Sequence, residues 1–303
     1  MSFRNSELVT APGSFAPLGV AVGLQWLSTL AAAAWSRADE QVEDPLVLLN
    51  VGLLAPLALA AAVVLASRLG GRTAVIWLSV VWLASPWLLV SFALPAYEAT
   101  ARDQMLPLVL GLTPDGGFAA GSAVLVGAAL LMFRGVVPAA AAGVALGLAV
   151  LLVPATLAFA VAAAVLLLVE WRPGSTAAVG AALLPFVAAL VLWRGVAPAD
   201  RSYDALVASL DGFREYFWSK RVLEWLPFAG ALGLGRRSIV LALVVGGGFV
   251  GFAVVQLARV DSAFGDASVF RLLLAGLPSY IVLTAALPLL VPSLAARLAA
   301  RTA

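Results

Sequence analysis

The feature that most limits this chain is a succession of apolar runs of about 20 residues, rich in Ala, Leu and Val, parted by short polar turns. A run of that length crosses the hydrocarbon core of a bilayer as a helix, because a helix pairs its backbone N–H and C=O groups within the segment. Outer-membrane strands alternate polar and apolar residues over about 10 positions, and these runs do not alternate. Of 303 residues, 63% are hydrophobic and 11% are charged, and the mean hydropathy is +1.06. Soluble domains are about 25% charged. No water-soluble core hides this much apolar surface. The expected fold is all-α: a polytopic transmembrane helix bundle forming a single integral-membrane domain over residues 1–303.

About ten spans are drawn, at 15–35, 46–67, 73–94, 117–133, 136–152, 155–170, 175–193, 223–235, 238–258 and 270–293. Residues 1–14 are expected as a short cytoplasmic tail, since "MSFRNSELVTAPGS" lacks the pattern of a secretory signal. Pro154 divides one long apolar stretch and reads as a tight turn near a membrane face. The segment "RDQMLPLVLGL", 102–112, is too short to span. It is expected to lie at the interface or to re-enter the membrane.

Alternating loops sort the charges. One face receives Arg4, Arg68, Arg72, Arg134, Arg172, Arg236, Arg237, Arg297 and Arg301 against only Glu7 and Glu170. Short Arg-bearing loops mark that face as cytoplasmic, so both termini are expected inside. The other face receives the polar pieces 36–45, 95–116, 194–224 and 259–270. The piece 194–224 is expected as an extracytoplasmic amphipathic loop. Usage rich in Ala, Arg and Gly, with Lys220 the only lysine, suggests a high-GC bacterium and therefore its cytoplasmic membrane.

The chain has no His and no Cys. Thiolate chemistry, disulfides and imidazole bases are excluded, so proton transfer or metal binding falls to Asp and Glu. A net charge of +2 gives no footprint for nucleic acid. Four carboxylates, Asp39, Glu40, Glu43 and Asp44, crowd the first outer loop. Such a cluster suits a general base, or an all-oxygen site for a hard cation.

Several pieces taken in order resemble the GT-C superfamily of membrane glycosyltransferases, over 15–170 and more weakly over 223–293. An acidic "DE" (Asp39, Glu40) follows the first span. Then comes "LLNVGLLAPLALAAAVVLASRLGGRTAVIWLSVVWLASPWLL", with its basic turn at Arg68, Gly70, Gly71 and Arg72 and its "SP" at Ser85 and Pro86. A second acidic element, "YEATARDQML", comes next, then "AAAAGVALGLAVLLVPATLAF" and a closing "SVFRLLLAGLPSYIVLTAALPLL". The first outer loop is shorter than the family's, and Val153 stands where a basic residue often precedes the hairpin proline. The resemblance implies transfer of a sugar from a polyprenyl-phosphate donor to a lipid, glycan or protein acceptor at the extracytoplasmic face.

On that reading the catalytic candidates are Asp39 and Glu40, with Glu98 or Asp103 as the second acid. Asp39 and Asp44 are the candidate ligands of a divalent cation, Mg or Mn. Arg271, Arg102, Lys220 and Arg221 are expected to grip the donor phosphate, with Arg259 also placed for it, since Arg suits bidentate phosphate contact. Trp218 belongs to the aromatic and charged stretch 211–225, expected as an amphipathic surface helix that roofs the site. Each has a plainer reading: loop solvation for the acids, a helix cap for Asp103, interfacial anchoring for Arg271 and the aromatics. "GGG" at 246–248 reads as close helix packing. Two other functions stay open: a transporter or flippase for a lipid-linked precursor, and a non-catalytic subunit of a membrane complex. An enzyme is expected to carry a cavity open at the outer face, and a transporter one near the midplane.

Overall fold

The computed structural model describes residues 16–36, 44–194, 200–217, 221–260 and 268–291. Among them the chain is all-helical, and extended residues pair only as isolated bridges, Ala93 with Phe217 and Arg201 with Arg259. The main helices are α1 (Ala16–Ser36), α2 (Pro45–Phe92), α3 (Gly116–Leu131), α4 (Val136–Leu152), α5 (Leu157–Val169), α6 (Pro173–Arg194), α7 (Tyr203–Tyr216), α8 (Val222–Gly235), α9 (Ala242–Leu257) and α10 (Phe270–Ala285). Each of the ten segments drawn from the apolar pattern is helical, two of them as the arms of α2.

Among the described residues, three helices are long and apolar enough to cross a membrane: Leu18–Ser36, Pro45–Phe92 and Pro173–Trp193. The remaining apolar helices have 10–17 residues. Large hydrophobic side chains cover the outside of the bundle, Leu192 at 86% and Trp193 at 88% exposure among them. Such a surface suits lipid rather than water.

α2 is not one rod. Gly70 (φ −159°, ψ 22°) and Gly71 (φ 60°, ψ −150°) leave the helical region. The Gly71 conformation is one that a side chain resists. Ala58 and Trp82 line one small cavity, although 24 positions of straight helix at about 1.5 Å per residue would hold them far apart. The chain therefore folds back at Gly70–Gly71, giving arms 45–69 and 72–92.

The turns collect at two ends. At one, the Arg68 guanidinium lies 4.9 Å above the Phe133 ring. Arg172 donates there to the Phe133 carbonyl at 3.2 Å and pairs with Glu170 at 3.3 Å. The turns that carry Arg68 and Arg172 therefore meet beside Phe133. At the other, Leu94 donates to Tyr216 O at 2.8 Å, and Val260 to Asp200 O at 3.0 Å. The segment 102–112 is built into that loop end. Met105 to Leu112 are buried, and the turn Leu106–Val109 packs on α1 and α2. It is built into the helix bundle rather than lying exposed on its surface.

Glycine sets the closest helix approaches. A Cβ on Gly230 of α8 would lie 2.1 Å from Leu283 O of α10, and one on Gly233 would lie 2.6 Å from Ala286 O. Small residues three apart open a channel for the partner backbone, which is how apolar helices gain dispersion contacts when no hydrophobic effect separates them from lipid. In the GGG stretch, Gly246 meets Ala231 and Gly248 meets Phe159, while Gly247 faces open space. Gly230→Ala forces backbone apart and is expected to cost about 1–3 kcal/mol. Gly180→Ala on α6 has nothing within 4 Å and is expected to be neutral. Thermal unfolding in detergent checks both, and an unchanged midpoint for Gly230→Ala would refute the close-approach account.

Candidate functional site

A cavity of about 370 Å³ lies between the second arm of α2, α7, α8, α9 and α10. Its wall is almost wholly apolar. Ser85, Glu224, Tyr280 and Thr284 are the polar residues that touch it. Pockets of about 300–1,000 Å³ hold small-molecule ligands, with a few polar groups fixing orientation.

α7 forms one wall. It is amphipathic, and Leu206, Leu210 and Phe213 point from one face into the cavity. Their spacing, i, i+4 and i+7, is that of one helical stripe. Ser202 starts the helix by accepting from Ala205 N–H at 3.0 Å. The helix ends at Tyr216, and Phe217 continues as extended chain beside Ala93. The expected amphipathic roof therefore exists, but it covers Tyr203–Tyr216. The stretch 211–225 straddles its end and the start of α8.

The roof is tied down by charge. Arg214 donates from Nε and Nη2 to the Glu224 carboxylate, at 2.6 and 3.0 Å, and from Nη1 to Asp211. The Glu224 side chain is only 15% exposed and that of Arg214 25%, so this two-pronged pair works partly out of water. The Glu224 hydrogen bond, with Asp211 behind it, raises the Arg214 pKa above its ordinary value, against the lowering effect of burial. Deeper in, Tyr280 Oη donates to Leu223 O at 3.0 Å.

The expected site residues distribute unevenly. Asp39, Glu40, Trp218 and Lys220 lie outside the described residues. Asp44 is an N-cap: its Oδ1 accepts from Leu46 N–H at 2.7 Å ahead of Pro45 at the first helical position. Glu98 is exposed. Asp103 is held by its neighbour, with Arg102 Nε and Nη2 donating at 2.7 and 2.9 Å. That hydrogen bond is the main reason the Arg102 pKa is raised, with Glu98 adding a smaller push. Asp103 does not cap the turn after it, which starts at Met105 without a side-chain cap. Arg221 and Arg271 are exposed beside cavity-lining neighbours, Leu223 and Glu224 for the first, Phe270 and Leu273 for the second. Arg259 is half-buried beside the Arg201 bridge. Ser85 and Pro86 lie inside the second arm of α2 rather than at its end; Ser85 lines the cavity and donates to Trp82 O at 3.1 Å.

Among the described residues, no three or more Asp or Glu side chains gather as a metal site would need. Asp44 already commits one oxygen to its helix. The described residues therefore do not make up a cation site.

The Arg214–Glu224 pair escaped the sequence reading because ten positions and a helix break separate its members. The α7 stripe was legible, since it follows a helical period. Gln25 of α1 was also missed. It is a lone amide in an apolar helix, 6% exposed, and its Oε1 has no hydrogen-bond partner. Comparison with family models, with curated proteins and with solved structures returned no match for this chain.

Because the chain lacks cysteine, Leu210→Cys gives a single reporter on the roof. Arg214→Gln removes the tie to α8 and is expected to weaken the closed roof by about 1 kcal/mol, which is about a fivefold rise in maleimide labelling. Equal labelling with and without Arg214 would mean that the pair does not hold α7.

Proposed function

We propose that this is a multi-pass protein of a bacterial cytoplasmic membrane, with about ten spans and both termini cytoplasmic, acting on a lipid-linked sugar as a GT-C-type glycosyltransferase. The observation that carries the reading is the large apolar cavity walled by α7 and the start of α8. A long hydrocarbon chain fits such walls, and a charged head would stay at the rim. Arg221 and Arg271 stand beside the lining residues and supply charge for a phosphate. The ten helical segments with their alternating turns support the span count, and the Arg-bearing end supports the orientation.

The reaction balances without a redox step. An acceptor hydroxyl oxygen bonds to the anomeric carbon as the bond from that carbon to the phosphate oxygen breaks. The electron pair leaves with polyprenyl phosphate. The hydroxyl proton passes to a carboxylate, for which Asp39 is the first choice, with Glu40, Glu98 and Asp103 as the alternatives. A lipid, glycan or protein would supply the hydroxyl.

The transporter or flippase is the second reading. It is favoured by the inward reach of the cavity to Val81 and Thr284 and disfavoured by its apolar wall, which offers a polar head no path.

The test is sugar transfer by the purified protein in lipid nanodiscs with a panel of polyprenyl-phosphate sugars. Wild type is expected to turn over at least one donor. Asp39→Asn is expected to lower kcat by about 100-fold or more. Leu273→Trp, which fills the cavity, is expected to raise KM about tenfold with folding intact. Turnover surviving Asp39→Asn moves the base to another carboxylate. No turnover from wild type with any donor overturns the enzyme, and polyprenyl phosphate binding blocked by Leu273→Trp would then mark a transporter or a lipid-binding subunit.

A further inference from the structure

Among the residues that line the large cavity, Ser85, Glu224, Tyr280 and Thr284 carry polar side chains. Three of these are hydroxyls, and each has given its proton to a backbone carbonyl. Ser85 donates to Trp82 O at 3.1 Å, Thr284 to Tyr280 O at 2.9 Å and Tyr280 to Leu223 O at 3.0 Å. The last bond follows from the sequence of α8. In a helix Leu223 O would accept from the N–H four positions on, but Pro227 stands there and has none. The Tyr280 phenol supplies the missing donor. What the three hydroxyls have left to offer is lone pairs. The fourth group, the Glu224 carboxylate, only accepts. Arg214 donates once to each of its oxygens, at 2.6 and 3.0 Å, and is not among the residues that line the cavity. Each oxygen keeps a second lone pair. Trp225 adds a neutral indole N–H.

A wall of this kind sorts ligands by their polar group. An anion would face a carboxylate and oxygen lone pairs, with an indole N–H as its side-chain donor. A cation would meet a carboxylate whose charge Arg214 already balances, and would leave an unpaired charge among apolar side chains. An ether has no proton to give. A neutral O–H donates to Glu224 without adding charge, and hydrogen bonds to an ionised acceptor are the stronger kind.

We propose that the large cavity binds a lipid alcohol, whose hydroxyl donates to the Glu224 carboxylate and whose hydrocarbon lies along Leu210, Phe249 and Leu273. Of the acceptors open to sugar transfer, a lipid, a glycan or a protein, this selects the lipid. Arg221 precedes Glu224 by one helical turn, so the acceptor oxygen and the charge offered to a donor phosphate fall at the same end of α8. Glu224 then has two roles, as the tie to α7 and as the receptor of the hydroxyl. The proposal rests on the reading that the cavity takes substrate hydrocarbon. It is tested by binding, without sugar transfer.

The experiment uses the full chain in detergent with two probes, a C20 isoprenoid alcohol and its methyl ether, each read by ligand-induced thermal stabilisation. Wild type is expected to bind the alcohol about tenfold more tightly than the ether, as one hydrogen bond to a charged acceptor allows. Glu224→Met removes the acceptor and is expected to bring the probes within about twofold of each other. Glu224→Gln keeps a neutral acceptor and is expected to leave a preference of about threefold, so the test survives if the methionine variant fails to fold. Arg214→Gln separates recognition from the tie. It breaks the same ion pair but leaves the carboxylate, so the alcohol is expected to keep a preference of about tenfold or more. A preference lost equally in Arg214→Gln and Glu224→Met overturns the proposal, because Glu224 then acts only through the tie. A preference untouched by Glu224→Met overturns it as well. Equal binding of both probes to wild type, abolished by Leu273→Trp, keeps the cavity as a hydrocarbon site and removes the alcohol. Binding of neither probe removes both readings.

Discussion

Everything in this structure depends on one constraint: inside an apolar bundle a polar atom must find its partner close by, because the surroundings offer none. The chain meets it locally. Thr29 donates to Gln25 O at 2.9 Å, Ser79 to Val75 O at 2.9 Å, Ser91 to Trp87 O at 3.0 Å, Ser122 to Phe118 O at 3.0 Å and Thr284 to Tyr280 O at 2.9 Å, each one helical turn back. Indoles do the same across helices. Trp26 donates to Val51 O at 3.1 Å and Trp77 to Ala285 O at 2.9 Å. These bonds add little pull between helices. They let Ser, Thr and Trp sit in the bundle without a penalty, and leave glycine-lined backbone contact to set which helices touch.

Against that background the exceptions carry information. Among the described residues the buried orphans are Gln25 Oε1, Asn50 Oδ1 and Thr113 Oγ1. They fall in one neighbourhood. Asn50 donates to Thr113 O at 3.3 Å, and a Cβ on Gly111 would press on both Asn50 and Phe118 at 3.2 Å. Phe118 in turn walls the pocket that Gln25 lines. The inserted segment 102–112 brings these groups together. Gly111, at φ 76°, ends the buried turn by taking a conformation closed to most residues. The polar cost of the fold is thus concentrated where the chain departs from plain transmembrane helices, beside the two cavities.

The helices were legible in the sequence because an apolar run of the right length admits few other folds. The fold-back at Gly70–Gly71 was marked by two adjacent glycines between arginines. The roof was half legible: the stripe of Leu206, Leu210 and Phe213 has a helical period, but the aromatic density of 211–225 lies about two turns too far along. The electrostatic tie between Arg214 and Glu224 was not legible, because it joins two helices across a break and no local pattern encodes it. Asp44 shows why an acid count alone is ambiguous. An aspartate before a proline at the head of an apolar run is what a helix cap looks like, and an acid count cannot separate a cap from a ligand.

The arrangement of the two cavities limits what the protein can do. A site reached through an apolar channel selects first for hydrocarbon, by area, and that selection is coarse because one methylene is worth only about 0.8 kcal/mol. Discrimination among lipids of similar length must then come from polar groups, where a missing partner is penalised more sharply than an extra carbon is rewarded. Glu224, held by Arg214, and Tyr280 and Thr284 in the cavity wall are the polar groups placed to supply it. Val109, Leu277 and Ile281 belong to both cavities, so a chain lying in the larger one presses directly on the wall of the smaller.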